Sequence, residues 1–119
     1  MTLTVLVVDD DDWLRALTVD AVTLLGLEVV DCASADDALL ILKGQPAIAL
    51  VITDICMPGR MDGFELATVI WTRWPWLPVI LTSGNRYVAV ESLPAHALFI
   101  RKPWSLDALH EAVGKHLPV

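Results

Sequence analysis

The sequence predicts an α/β domain built on a doubly wound, five-stranded parallel sheet with helices on both faces. Three observations lead there. Short apolar, β-branched runs alternate with longer segments of helical period from one end to the other. Those runs are nearly continuous in their hydrophobicity, as strands covered on both faces are. The polar residues that carry chemistry stand directly after the runs.

Leu3–Val8 (LTVLVV) is the first strand: apolar, β-branched and short enough to be buried. Trp13–Leu25 places Trp13, Leu14, Leu17, Ala21, Leu24 and Leu25 at helical spacing, and Gly26 stops the helix. Glu28–Ala33 is a second strand. Ser34-Ala-Asp-Asp37 reads as a variant capping box opening a helix that ends at Lys43-Gly44. Ile48–Thr53 (IALVIT) is a third buried strand, and Asp54 to Asp62 is a loop because of Pro58 and Gly59. Gly63–Trp74 is helical, with Phe64, Ala67, Ile70, Trp71 and Trp74 on one side. Pro78–Thr82 and Ala97–Ile100 are the fourth and fifth strands. Between them Gly84 and Pro94 leave room for only a short or irregular fourth helix over Asn85–Pro94. Ser105 caps the last helix, whose stripe is Leu106, Leu109, Val113 and Leu117. Of the five tryptophans, Trp13, Trp71 and Trp74 are expected at helix–sheet core or edge positions, and Trp104 is a candidate partner contact. Right-handed crossovers follow from chain chirality, but strand order does not follow from the sequence.

With 119 residues the chain reads as one domain, residues 1–119. A hydrophobic share of 55% against 19% charged supplies a core and argues against disorder. The net charge of −7 argues against direct nucleic-acid binding, which wants a basic surface. No apolar run approaches the roughly 20 residues of a membrane span, and the N-terminus lacks the basic segment of a signal peptide. Cys32 and Cys56 have no metal or redox spacing, so reduced thiols and a cytoplasmic location are expected.

Parallel strands point their carboxyl ends to one edge, where ligands of such folds bind. The first strand delivers Asp9 and Asp10, the third Asp54, the fourth Thr82, the fifth Lys102. Asp11 and Asp12 read as capping and dipole residues of the first helix. Three carboxylates at one place repel one another and call for a cation. An oxygen-only donor set favours Mg²⁺, which usually keeps waters and shares a phosphate oxygen. Lys102 supplies a mobile positive charge and Thr82 a hydroxyl. A carboxylate, a metal, a lysine and a hydroxyl together suit phosphoryl transfer. A metal-dependent aspartyl phosphatase, suggested by Val8-Asp9-Asp10-Asp11, remains an alternative, although 119 residues leave no room for a substrate-selecting cap.

At these residues the sequence resembles the receiver domain of two-component response regulators. The resemblance covers the whole chain. It rests on Val7-Val8-Asp9-Asp10 with Arg15 beyond, Thr53-Asp54 followed by Met57-Pro58 and Met61-Asp62-Gly63, Leu81-Thr82-Ser83-Gly84, and Phe99-Ile100-Arg101-Lys102-Pro103. It implies a flavodoxin-like (βα)5 fold and a phosphoacceptor at Asp54, charged from a sensor histidine kinase or histidine phosphotransfer protein. Mg²⁺ would be held by Asp9, Asp10, Asp54 and the backbone carbonyl of Cys56. Thr82 and Lys102 would grip the phosphoryl oxygens, Phe99 would be the aromatic switch, and the Lys102–Pro103 bond would be cis. It further implies a signalling module that catalyses only its own phosphorylation and dephosphorylation, with a downstream protein partner and a homodimer among the family's assemblies. A degenerate receiver serving as a scaffold is the other alternative, and the complete residue set argues against it. Two residues, Gly59-Arg60, separate Pro58 from Met61 where many receivers have one, as in receivers of hybrid kinases or stand-alone regulators. Cys56 occupies a position that is often polar or charged.

Overall fold

The structure, a computed structural model, describes residues 3–44, 47–57, 59, 61–84, 93–94 and 97–119. In chain order the described elements are β1 (Thr4–Val8), α1 (Asp12–Thr23), β2 (Glu28–Cys32), α2 (Ala35–Gly44), β3 (Ile48–Asp54), α3 (Gly63–Arg73), β4 (Val79–Ser83), β5 (Ala97–Arg101) and α4 (Leu106–Gly114). The expected short helix over Asn85–Pro94 falls largely outside the described residues.

All strand pairs are parallel, and the sheet order is β2-β1-β3-β4-β5. β3 lies at the centre and is buried almost throughout, as its unbroken apolar run requires. The chain steps outward from β1 to β2, then back across β1 to β3, so the winding reverses between β1 and β3. The carboxyl ends of these two strands therefore border the crevice of a doubly wound sheet.

Two core layers sandwich the sheet. Leu6, Val51, Val79 and Leu81 pack with Ala38 and Leu42 of α2 and with Leu66, Ala67 and Ile70 of α3. On the other face Val5, Val7, Leu50, Ile52 and Ile80 pack with Ala21 and Val22 of α1 and with Leu109 and Val113 of α4. Alternate strand residues thus serve opposite layers, as the pleat demands. Each fully buried Leu, Ile or Val contributes about 1.5–3 kcal/mol of transfer free energy.

Two expectations about α1 and the tryptophans need correction. The inward face of α1 is Thr18, Ala21 and Val22. Trp13, Leu17 and Leu24 project into solvent, with Trp13 and Leu24 each 71% exposed. Both stripes have helical spacing, so period alone did not choose between them. Thr18 is tolerated inside because its hydroxyl donates to the Leu14 carbonyl at 3.0 Å. Trp104 is half-buried against the second core layer, so packing accounts for part of its surface. Trp71 and Trp74 sit half-buried at the first layer, with Trp71 edge-on to Phe64.

Candidate functional site

The ends of β1, β3 and β4 and the stretch after β5 meet in one open cleft. Asp9, Asp10 and Asp11 after β1, Asp54 and Cys56 at the end of β3, Ser83 and Gly84 at the end of β4, and Lys102 line it. Carboxylate oxygens of Asp9, Asp10 and Asp54 come within 4.8 Å of one another. Asp9 and Asp54 are buried, whereas Asp10 is exposed.

Local structure explains how four consecutive aspartates take different parts. The Asp9 carboxylate accepts the Asp11 N–H at 2.9 Å through Oδ1 and Lys102 Nζ at 3.2 Å through Oδ2. Asp11 caps α1, accepting from the N–H groups of Trp13 (3.0 Å) and Leu14 (3.1 Å). Asp12 pairs with Arg15 at 2.8 Å. Asp10 lines the cleft with an exposed carboxylate, beside the buried Asp9 and Asp54. The capping role expected for Asp11 is therefore seen directly.

Lys102 reaches both buried carboxylates, Asp9 at 3.2 Å and Asp54 at 3.4 Å. It is placed by the bond from its backbone N–H to the Ser83 carbonyl at 3.1 Å, and its peptide bond to Pro103 is cis. Burial pushes the Asp54 carboxyl above its usual range. Lys102 opposes that shift, and Asp9 and Asp10 add to it by repulsion. Three crowded carboxylates with one lysine leave an excess of negative charge. The donors are oxygens only. This set fits a hard divalent cation better than a soft one.

The backbone around Asp54 is seated by α3. The Gly63 N–H donates to the Ile55 carbonyl at 2.8 Å. A Cβ on Gly63 would collide with the carbonyl oxygen of Asp54. The helix begins with a reciprocal box in which Asp62 accepts the Glu65 N–H at 2.8 Å and Glu65 accepts the Asp62 N–H at 3.1 Å. That box was legible as Asp-x-x-Glu and went unread in the sequence.

One expected site residue is not in the cleft. Thr82 and Ser83 are both buried, and of the two only Ser83 lines the cleft. β4 runs one residue further than the sequence suggested, through Ser83. Ile80 belongs to the second core layer and Leu81 to the first, so the pleat sends Thr82 toward the former and Ser83 toward the latter. The Ser83 hydroxyl stands 4.0 Å from the Cys56 thiol. The motif Leu81-Thr82-Ser83-Gly84 offers two adjacent hydroxyls, and only the end of the strand distinguishes them. Phe99 is half-buried against the first core layer and pairs in register with Leu81. Cys32 is a free thiol that burial pushes up to about 11, and Cys56 is a free, exposed one.

Fold and site together define a doubly wound parallel α/β domain with a metal-competent acidic cleft and a lysine at its switch point. The family described as the response regulator receiver domain matches residues 5–114, and the chain belongs to that family of two-component systems. It is 41% identical to the response regulator protein FleR of Pseudomonas aeruginosa over 98% of this chain and 25% of that protein. It is 35% identical to the sensor kinase CckA of Brucella abortus over 96% of this chain and 12% of that one. The crystal structure of the receiver domain of NtrX from Brucella abortus superposes with a TM-score of 0.85 at 33% identity, covering 97% of this chain and 98% of that one. The chain therefore spans about a quarter or less of these curated full-length relatives. Among the described residues no helix is long and apolar enough to cross a membrane.

Proposed function

We propose that residues 1–119 form a phosphoacceptor switch working in the cytoplasm, in which Asp54 takes a phosphoryl group from a phosphohistidine on a sensor kinase or a histidine phosphotransfer protein. The observation that carries this reading is the arrangement around Asp54: a buried carboxylate crowded by Asp9 and Asp10 and reached by Lys102 at 3.4 Å. An Asp54 oxygen attacks phosphorus in line, the P–N bond breaks, and the imidazole leaves with the bonding pair and takes up a proton. Lys102, freed from its ion pairs, meets a phosphoryl oxygen. The hydroxyl that meets another is assigned to Ser83 in place of Thr82, because Ser83 is the one lining the cleft. Asp9, Asp10, Asp54 and the Cys56 backbone carbonyl would hold Mg²⁺, which would supply the positive charge that offsets the crowded carboxylates and the incoming phosphoryl group.

The same local change is the signal. Phosphorylation adds about −1.5 to −2 charge and three acceptor oxygens at one point. Ser83 ends β4 and Phe99 lies on neighbouring β5, so a shift at Ser83 reaches the half-buried ring of Phe99. Two packings of similar free energy at this corner convert the charge into a changed surface for a downstream protein or a second copy of the chain. The module turns over no substrate beyond its own phosphoryl group. Incubation with Mg²⁺ and acetyl phosphate followed by intact-mass measurement tests this. One added phosphoryl group is expected, labile to hydroxylamine, absent with a chelator and absent in Asp54→Asn. An unchanged mass under every condition sinks the reading.

A further inference from the structure

Arg15 takes no part in the chemistry just described, yet one planar group ties it to three elements. Its Nη1 donates to the backbone carbonyl of Asp9 at 2.9 Å, its Nη2 to Asp12 Oδ1 at 2.8 Å and its Nε to Asp31 Oδ2 at 2.9 Å. These partners belong to the turn after β1, the first turn of α1, and β2. The side chain is 19% exposed. Exposed ion pairs alone contribute little. The bond to the Asp9 carbonyl is of another kind. That carbonyl lies in the peptide plane joining Asp9 to Asp10, so holding it sets the directions in which both side chains leave the backbone.

We propose that Arg15 is a positioning residue for the cation site, acting through the Asp9–Asp10 peptide. It holds the two carboxylates at a fixed separation before any cation arrives and keeps Asp12 turned away from the cleft. The inference rests on the reading that the cleft takes Mg²⁺. Removing Arg15 has two opposed consequences: a positive charge is lost, which favours cations, and the peptide is released, which disfavours an exacting one. The charge of Arg15 is already offset by Asp12 and Asp31, so the geometric effect wins. Mg²⁺ demands near-octahedral oxygens at short distance, whereas Ca²⁺ accepts irregular sites. The loss must therefore fall mainly on Mg²⁺.

Calorimetric titration of the whole chain with Mg²⁺ and, separately, with Ca²⁺ tests this. Groups that orient ligands in this way typically alter metal affinity by 10–100-fold, so Arg15→Met is expected to weaken Mg²⁺ by about tenfold and Ca²⁺ by less than about threefold. A purely structural role would weaken both cations alike or neither. Arg15→Lys keeps the charge and loses the fork, so it is expected to weaken Mg²⁺ as Arg15→Met does, and it carries the test if the methionine variant does not fold. Mg²⁺ affinity unchanged in a folded variant, or equal losses for both cations, overturns the inference while leaving the metal reading intact. A wild-type protein that binds neither cation overturns both.

Discussion

Helices α1 and α3 both start at the carboxyl edge of the sheet, one beside the acidic turn and the other beside Asp54, and they are secured by different forces. α3 is seated by contact. Gly63 lies so close to the Asp54 backbone that no side chain fits, and the Asp62–Glu65 box closes the first turn. α1 is secured by charge. Asp11 caps it, Arg15 ties its first turn to β1 and β2, and Trp13 beside them stands in solvent. Asp54, the proposed phosphoacceptor, is thus held by steric closeness, which does not change with charge. Asp9 and Asp10, proposed to hold a cation, stand in a turn held by polar bonds, which respond to charge.

The largest test of this contrast is Gly63→Ala. The added methyl meets backbone, not a flexible side chain, and is expected to cost about 3 kcal/mol, at the upper end of overpacking effects. An unfolding free energy in urea lowered by less than a third of that means that α3 is not seated by contact. Next come the caps. Asp62→Ala and Asp11→Ala are each expected to lose about 1 kcal/mol in urea unfolding, with Asp11 the larger because its carboxylate accepts two N–H groups and that of Asp62 one. A larger loss at Asp62 reverses the order.

Asp54→Asn probes the charge between the two helices. Burial raises the Asp54 pKa above its ordinary 3.8, so the folded state binds the proton more tightly than the unfolded one. Stability then falls as pH rises through this window, and the penalty is fully present at neutral pH. Asp54→Asn is expected to stabilise the protein at pH 7 in the presence of a chelator, with the gain vanishing as pH falls below 3.8. Urea titrations across pH that show no gain at pH 7 place Lys102, rather than burial, in control of this carboxylate. The smallest effect belongs to Trp13→Ala, expected within about 0.5 kcal/mol of wild type because the side chain is mostly in solvent. A larger loss in thermal unfolding shows that α1 too depends on contact.

The element order was legible because the strands are unbroken apolar runs and the helices between them carry stop and cap signals such as Gly26, Ser34 and Ser105. Asp9, Asp10, Asp54 and Lys102 were legible as one cleft for the same reason, since each stands immediately beyond a run whose end is plain. Ser83 was not legible. Thr82 and Ser83 are chemically alike neighbours, and the choice depends on where the strand stops. Arg15 was visible as a motif residue, but its partner at Asp31 is 16 positions away and is brought to it only because β2 lies beside β1.

Chain chemistry by itself thus determined the fold class, the alternation of elements and the charged residues gathered at one edge, because hydrophobic period and strand ends are local properties. Tertiary structure alone decided three things: that the sheet reverses between β1 and β3, that α1 turns Thr18 inward and Trp13 outward, and that Ser83 rather than Thr82 faces the cleft. The physical reason is common to the last two. A strand has period two and a helix has several usable faces, so a shift of one residue reverses what is buried. Only the neighbouring element against which the segment packs settles that choice.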